Sequence, residues 1–280
     1  MDNNPASAVE GTPAKKIERD TFVISGAILL GSLIVAGAVL TLSPQVFSPA
    51  KNADTAAGND KEQPSQQPDK QTVTLDQIKK LFSDKNIVLG NKNSKVLFVE
   101  FSDPSCPYCH IAAGKNPSLN KKVGPQFVMA QDGGSYVPPV PEIKKMVDAG
   151  KAAFVWLYTN GHGSGEMGTR ALYCANEKGR FWEAHDLLMS EAGYDLLNGD
   201  VKNDKGKAGV LANFLRSAVN SEDMKSCLES GKYDSRIADD SAVAQQFGVN
   251  GTPNFFVNTA NFTGAYSFKD MQSAVDQNAK

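Results

Sequence analysis

The sequence predicts an α/β domain that follows an N-terminal transmembrane helix and a disordered linker. Three observations support this prediction. A long apolar segment lies near the N-terminus. Two apolar runs with β-rich composition, 96–101 and 152–158, lie among segments with helical spacing. A pair of cysteines comes shortly after the first of these runs. Buried strands that alternate with helical segments are typical of a sheet covered by helices.

The apolar segment 22–42 contains no charged residue, and as a helix it is long enough to cross ~30 Å of hydrocarbon. Basic residues are more frequent just before it than just after it, which favours a cytoplasmic N-terminus. We therefore expect residues 1–21 to be a cytoplasmic tail and 22–42 to be a signal anchor that crosses the cell membrane once. A cleaved signal peptide is the alternative, but its apolar core usually has only ~7–15 residues.

Residues 43–71 are rich in Pro, Ala, Gln, Asn, Asp and Lys. A segment of this composition does not bury enough apolar surface to become ordered. We expect it to be a flexible linker that holds a domain of residues 72–280 off the outer face of the membrane.

The overall charge excludes one broad class of function. The 280 residues include 29 Lys and Arg against 31 Asp and Glu, which gives a formal charge of −2. The basic residues form no block and do not alternate with aromatic residues, as they do in many nucleic-acid-binding proteins. We therefore expect no nucleic-acid partner.

The segment Cys106-Pro107-Tyr108-Cys109 carries the predicted chemistry. Proline is favoured at the first position of a helix, which makes Cys106 the N-cap and turns its sulfur towards free backbone N–H groups and the positive end of the helix dipole. A free cysteine titrates near pH ~8.5, and such settings lower its pKa by roughly one to five units. We expect Cys106 to be the attacking sulfur and Cys109 the resolving one, without a cofactor.

A zinc site is the alternative for these cysteines, because the adjacent His110 is also a common zinc ligand. A complete site needs a second pair of ligands at suitable spacing. His162 and His185 form no such pair, and we therefore expect no metal.

Glu100 is the one charged residue in the apolar run 96–101. A buried carboxylate costs several kcal/mol unless it is protonated or paired. Its position in the strand before Cys106 places it beneath the cysteine pair, and we interpret it as the proton acceptor for a thiol that ionises during exchange. The alternative is a carboxylate that faces solvent at the edge of the sheet.

The chain has four cysteines. If Cys106 and Cys109 form one pair, Cys174 and Cys227 remain as the second. A disulfide between them would contribute ~4 kcal/mol in the chain-entropy model, and it would persist only outside the reducing cytosol. The alternative is two reduced cysteines in the core.

The remaining elements are predicted from spacing and turn residues. Residues 131–142 are expected to form a loop, Ser221 to cap a helix, and 261–264 to form a hairpin or bulge. Pro253 lies between Thr252 and a β run, where it is a candidate cis proline; an ordinary trans proline is the alternative. Helices are predicted at about 74–82, 141–150, 166–178, 180–190, 207–218, 222–229, 236–247 and 267–277.

Taken together, these features resemble the DsbA-like class of bacterial thiol-disulfide oxidoreductases in the thioredoxin superfamily. The resemblance covers about residues 85–280. It rests on the residues 88–90, on 99–109 with its Cys-Pro-Tyr-Cys motif, on 175–182 and on 248–257. It implies a thioredoxin fold interrupted by a helical insertion at about 164–247.

The resemblance also implies roles for individual residues. Cys106 matches the solvent-exposed nucleophile and Cys109 its buried partner, while Glu100 matches the buried acid of the family. Thr252 and Pro253 match a cis-proline turn whose backbone pairs with the substrate chain. We expect Pro107 and Tyr108, which lie between the cysteines, to contact the substrate as well.

We therefore expect a membrane-tethered extracytoplasmic oxidoreductase that forms disulfides in exported proteins through a mixed disulfide on Cys106. A quinone-linked membrane protein is the expected partner that reoxidises it. Pro107-Tyr108 replaces the Pro-His of the best-known oxidase, so a reductase or isomerase remains an alternative. A tethered binding or chaperone module with a structural disulfide is the alternative from another class.

Residues 115–142 form a longer connection than is usual in the family and contain more Gly and Pro. Our hypothesis is that this segment borders the substrate groove.

Overall fold

A computed structural model of the chain describes residues 72–280. The predicted tail, signal anchor and linker lie outside the described residues. Within 72–280, none of the helices combines the length and apolar character that crossing a membrane requires.

The centre of the domain is a 5-stranded sheet with the order β1-β3-β2-β4-β5. Strands β2 and β3 run parallel, and the other neighbours are antiparallel. Every residue of β2 and β3 is buried, as expected for strands covered on both faces. The strands are β1 (Ile87–Gly90), β2 (Val96–Ser102), β3 (Ala152–Tyr158), β4 (Asn254–Val257) and β5 (Ala260–Thr263).

Helices cover both faces of this sheet. They are α1 (Leu75–Leu81), α2 (Pro107–Ala113), α3 (Pro117–Val123), α4 (Pro139–Asp148), α5 (Glu166–Glu177), α6 (Phe181–Leu188), α7 (Glu191–Asp195), α8 (Ala208–Phe214), α9 (Ser221–Glu229), α10 (Asp234–Gln246) and α11 (Phe268–Ala279). Helices α5 to α10 all lie between β3 and β4 in the chain, in the region where the sequence predicts a helical insertion.

The alternation of side chains along β2 separates two apolar cores. Phe98 packs with α4, α5, α6 and α11 on one face, whereas Val99 and Phe101 pack with α1 and the end of α10 on the other. Glu100 belongs to the first face. In the sheet it lies opposite Trp156 of β3 and Phe255 of β4.

Cys174 of α5 and Cys227 of α9 form a disulfide, with their Cα atoms 6.0 Å apart. It joins two helices of the segment between β3 and β4. The sequence analysis left open whether these two cysteines are bonded or reduced, and the structure has the bonded form.

The structure corrects two predictions about helix starts. Helix α4 begins at Pro139, inside the segment predicted to be a loop, because a proline is well tolerated in the first turn of a helix. The cap of α9 is Asn220 and not Ser221. The Asn220 side chain accepts hydrogen bonds from the backbone N–H groups of Glu222 and Asp223.

A third correction concerns the C-terminal hairpin. Residues 261–263 belong to β5, and the turn lies earlier, at Asn258 and Thr259. Asn258 adopts a φ of 51°, a left-handed conformation that asparagine tolerates. Its side-chain amide also bonds to the backbone of Lys95 and Leu97, which fixes the turn against β2.

Candidate active site

Cys106 occupies the N-cap of α2, and Pro107 is the first helical residue, as the sequence predicts. The backbone N–H of Cys106 donates to the carbonyl oxygen of Asp103 at 2.9 Å, so a tight turn carries the chain from β2 into the helix. The helix ends at Gly114, whose φ of 64° lies in the left-handed region that favours glycine. The two cysteines are free thiols one helical turn apart.

The pKa of the Cys106 thiol is lowered to about 6. The largest cause is the hydrogen bond from the Cys109 side chain. Thr252 and the backbone N–H groups of Cys109 and Tyr108 lower the pKa further, while burial raises it. The helix start predicted from the sequence therefore accounts for only part of this shift.

The pKa of the Cys109 thiol shifts in the opposite direction. Its side chain is fully buried, and burial raises the pKa of its thiol well above the usual value. The hydrogen bond with Cys106 and the nearby charge of Glu100 add to this rise. The two sulfurs therefore differ strongly in acidity, and Cys106 is the one that ionises near neutral pH.

The accessibility of Cys106 differs from the implication of the family resemblance. Only 3% of the residue is exposed, compared with 0% of Cys109, so Cys106 is not solvent-exposed in this dithiol form. It packs with Cys109, Ala113 and Met189, and its Sγ donates to the carbonyl oxygen of Thr252 at 3.5 Å. The exposed part of the motif is Tyr108, at 45%.

Glu100 lies buried in β2, with 1% of the residue exposed, so the alternative of a solvent-facing carboxylate is wrong. Burial raises the pKa of its carboxyl group to about 8. Ser102 opposes this shift, but neither carboxyl oxygen completes a hydrogen bond to a protein donor. At neutral pH the group is therefore mainly protonated. Its charge is one of the causes that raise the pKa of Cys109.

The Thr252–Pro253 peptide bond is cis, and the carbonyl group of Thr252 faces Cys106. The loop after β3 approaches this turn closely. A Cβ atom added to Gly161 would lie 1.7 Å from the Thr252 hydroxyl oxygen, so only glycine fits there. The structure therefore brings Cys106, Cys109 and Thr252 together.

The sequence analysis missed Asp103, which joins the active-site turn to the loop after β3. Its buried carboxylate accepts hydrogen bonds from Ser105, through N–H at 2.8 Å and the hydroxyl at 2.7 Å. It also accepts from the backbone N–H groups of Gly161 at 2.8 Å and His162 at 2.9 Å. An aspartate that ends a strand and precedes a proline is a common start of a turn, and this pattern was the available signal.

The three histidines do not surround the cysteines. Both ring nitrogens of His110 face backbone carbonyl oxygens, those of Met189 and Pro104. His162 is exposed, and His185 lies beside Asp186. Within residues 72–280, no three His, Cys, Asp or Glu side chains are grouped so that they could hold a metal ion.

An aromatic row begins at Tyr108 and runs along the segment 115–142. The rings of Tyr108 and Phe127 have centroids 5.9 Å apart, and those of Phe127 and Tyr136 are 5.6 Å apart. The segment therefore packs directly against Tyr108, one of the two residues between the cysteines.

Comparisons with known proteins agree with this architecture. A family model described as Thioredoxin matches residues 140–277. The crystal structure of alpha-DsbA1 from Wolbachia pipientis superimposes with a TM-score of 0.52, covering 72% of this chain and 96% of that one at 16% identity, which shows a shared fold.

Two curated relatives are more similar in sequence. A putative protein-disulfide oxidoreductase from Rickettsia felis is 26% identical over 230 residues, which span 80% of this chain and 68% of that protein. The Na(+)/H(+) antiporter NhaA 3 from Salinispora tropica is 28% identical over 195 residues, 69% of this chain. The match spans only 24% of the antiporter. In fold, cysteine motif and sequence, the chain is similar to DsbA-like thiol-disulfide oxidoreductases.

Proposed function

We propose that the protein catalyses thiol-disulfide exchange on other proteins through Cys106 and Cys109. The observation that carries this proposal is the opposite shift of the two thiol pKa values, to about 6 for Cys106 and well above the usual value for Cys109. A thiolate is the attacking and the preferred leaving form in exchange. The name of the relative from Rickettsia felis, a putative protein-disulfide oxidoreductase, also supports the proposal.

In the oxidising direction, a substrate thiolate attacks Sγ of Cys106 in the Cys106–Cys109 disulfide. The bond between the two cysteines breaks, and Cys109 leaves with the electron pair and takes up a proton. A second substrate thiolate then attacks the substrate sulfur of the mixed disulfide, which releases Cys106 as a thiolate. Two electrons pass from the substrate to the enzyme, which ends as the dithiol.

Glu100 is suited to supply the proton that Cys109 needs as it leaves. Its carboxyl group has a pKa of about 8, so it carries a proton at pH 7. Its charge acts on Cys109, which means that the same group can take the proton back when Cys109 must attack. A group that titrates near the working pH is suited to both steps.

The acidity of Cys106 favours oxidation over reduction as the main direction. A low thiol pKa stabilises the reduced form, and a stabilised reduced form makes the disulfide the stronger oxidant. A reductase or isomerase would use the same two sulfurs, and the reduction potential distinguishes these roles.

We further propose that exported proteins are the substrates and that a quinone-linked membrane protein reoxidises the dithiol. The apolar segment 22–42 supports a tethered domain outside the cell membrane. The Cys174–Cys227 disulfide supports the same location, because such bonds persist outside the reducing cytosol. The aromatic row from Tyr108 to Tyr136 supports binding of an extended substrate chain beside Cys106.

The test is transfer of disulfides to a reduced, unfolded protein that has two cysteines. The oxidised full-length protein in detergent should remove both substrate thiols, and Cys106→Ser should abolish the transfer. Equilibration with glutathione would then give the reduction potential, for which ~−120 mV marks an oxidant and ~−270 mV a reductant. Undiminished transfer by Cys106→Ser would overturn the proposal.

A further inference from the structure

His110 is a buried residue of α2 that the exchange reaction described above does not use. Its Nε2 lies 2.8 Å from the carbonyl oxygen of Pro104, and its Nδ1 lies 2.8 Å from that of Met189. The ring also packs edge-to-face on Tyr194, with centroids 4.9 Å apart. Contacts in three directions therefore hold the ring in one orientation.

The two carbonyl oxygens can only accept hydrogen bonds, and a neutral imidazole has a single N–H to donate. Burial lowers the pKa of the His110 ring to about 4, although both carbonyls and the charge of Asp103 act in the opposite direction. The ring is therefore neutral at pH 7 and donates to one of the two carbonyls.

The carbonyl of Pro104 belongs to the turn that presents Cys106. This turn is closed by the bond from the N–H of Cys106 to Asp103, and it gives Cys106 a φ of −77° and a ψ of 126°. The backbone N–H groups of Tyr108 and Cys109, in the helix that follows this turn, lower the pKa of the thiol. A buried carbonyl without a donor is costly, so loss of the His110 contact would favour a rotation of the turn.

We propose that His110 is a positioning residue for Cys106, and that it acts through a hydrogen bond from its Nε2–H to the carbonyl oxygen of Pro104. Its edge-to-face contact with Tyr194 holds the ring in place for this bond. The inference rests on the proposed exchange at Cys106 and adds the residue that fixes the geometry of the attacking thiol.

Two amide variants separate the two contacts of the ring. In His110→Gln the side-chain nitrogen can take the place of Nε2, whereas in His110→Asn it can take the place of Nδ1. His110→Phe keeps a ring against Tyr194 and removes both contacts. We expect the pKa of Cys106 to rise by about one unit or more in the Phe and Asn variants, and to stay close to the wild-type value in the Gln variant.

The measurement is the thiolate absorbance of the reduced full-length protein as a function of pH, with thermal unfolding recorded in parallel. Alkylation of Cys106 at pH 5 should be about tenfold slower in the Phe and Asn variants, since one pKa unit changes the thiolate fraction about tenfold there. An unchanged pKa of Cys106 in the Phe variant would overturn the proposal. A Gln variant in which the pKa of Cys106 rises as much as in the Phe variant would overturn it as well.

A measurement on the native protein applies even if a variant fails to fold. In a ¹H–¹⁵N spectrum of the histidine rings at pH 7, Nε2 of His110 should carry the proton, and a bare Nε2 would contradict the proposal. Neither readout requires turnover of a substrate. Failure of disulfide transfer by the wild-type protein would therefore remove the proposed function without deciding the role of His110.

Discussion

The thiol of Cys109 donates a hydrogen bond to the sulfur of Cys106, and this contact lowers the pKa of Cys106 more than the backbone N–H groups at the start of α2 do. The same contact raises the pKa of Cys109. A single hydrogen bond therefore helps to make one sulfur reactive and keeps the other protonated.

Removal of this donor should make Cys106 less acidic. We expect the pKa of Cys106 to rise from about 6 towards its ordinary value in Cys109→Ala. In Cys109→Ser the rise should be smaller, because a hydroxyl group can still donate to the thiolate. Thiolate absorbance as a function of pH measures both variants. Equal pKa values in the Ala variant and the wild type would show that the Cys109 thiol does not set the acidity of Cys106.

Glu100 should make the stability of the domain depend on pH. Its carboxyl pKa rises from 4.5 to about 8 on folding, so between these values the folded state binds more protons than the unfolded state. The stabilising contribution is complete below pH ~4.5 and is lost as the pH rises through 8, by up to ~1.4 kcal/mol per pH unit.

In Glu100→Gln the fall of stability with rising pH should disappear, because an amide does not ionise. The variant should therefore gain stability relative to the wild type between pH 5 and pH 8. Denaturant unfolding at several pH values measures the difference, and the exposed Glu222→Gln is the matched control. The variant should also exchange disulfides more slowly, since it can neither donate nor accept the proton of Cys109. Parallel pH profiles for wild type and Glu100→Gln would rule out a raised pKa at this site.

Asp103 should stabilise both the active-site turn and the loop after β3. In Asp103→Asn, the new amide group faces the backbone N–H groups of Gly161 and His162, which need an acceptor. Loss of hydrogen bonds to a charged group costs about 1.5–3 kcal/mol. We expect the free energy of unfolding to fall by about this amount and disulfide transfer to slow. Asp132→Asn, at an exposed position, should change neither.

Tyr108 should affect protein substrates more than small ones. Its half-exposed ring packs on Phe127 beside the cysteine pair, and aromatic contacts contribute ~0.5–1.5 kcal/mol beyond their burial. Tyr108→Ala should therefore raise the KM for an unfolded protein substrate by roughly twofold to tenfold, with little effect on the reaction with glutathione. The exposed Val210→Ala serves as the control. An equal effect on both substrates would argue against a peptide contact.

The local patterns of the sequence predicted strands β2 and β3, the start of α2 and the burial of Glu100 well. Each depends on neighbouring residues: apolar runs for β2 and β3, and Pro107 for the helix start. Asp103 and His110 also contact Gly161 and Met189. These partners are distant in the chain, and local spacing carries no information about such contacts.

The same limit explains why the predicted solvent exposure of Cys106 was wrong. Its motif predicted the acidity of the thiol, but the residues that cover it include Met189, from the helical segment between β3 and β4. Thr252, just before β4, covers it as well. Exposure is decided by the packing of distant elements, and for that reason the family resemblance implied the wrong accessibility.

The disulfide between Cys174 and Cys227 should contribute to stability without taking part in exchange. It joins α5 to α9 across a sequence separation of 53 residues, and closing a loop of this length restricts the unfolded chain. We expect the double variant Cys174→Ala/Cys227→Ala to lose about 2–4 kcal/mol of unfolding free energy. Disulfide transfer below the unfolding temperature should stay at the wild-type rate, because Cys106 and Cys109 are unchanged. A double variant that folds normally but no longer transfers disulfides would mean that the second pair of cysteines also carries electrons.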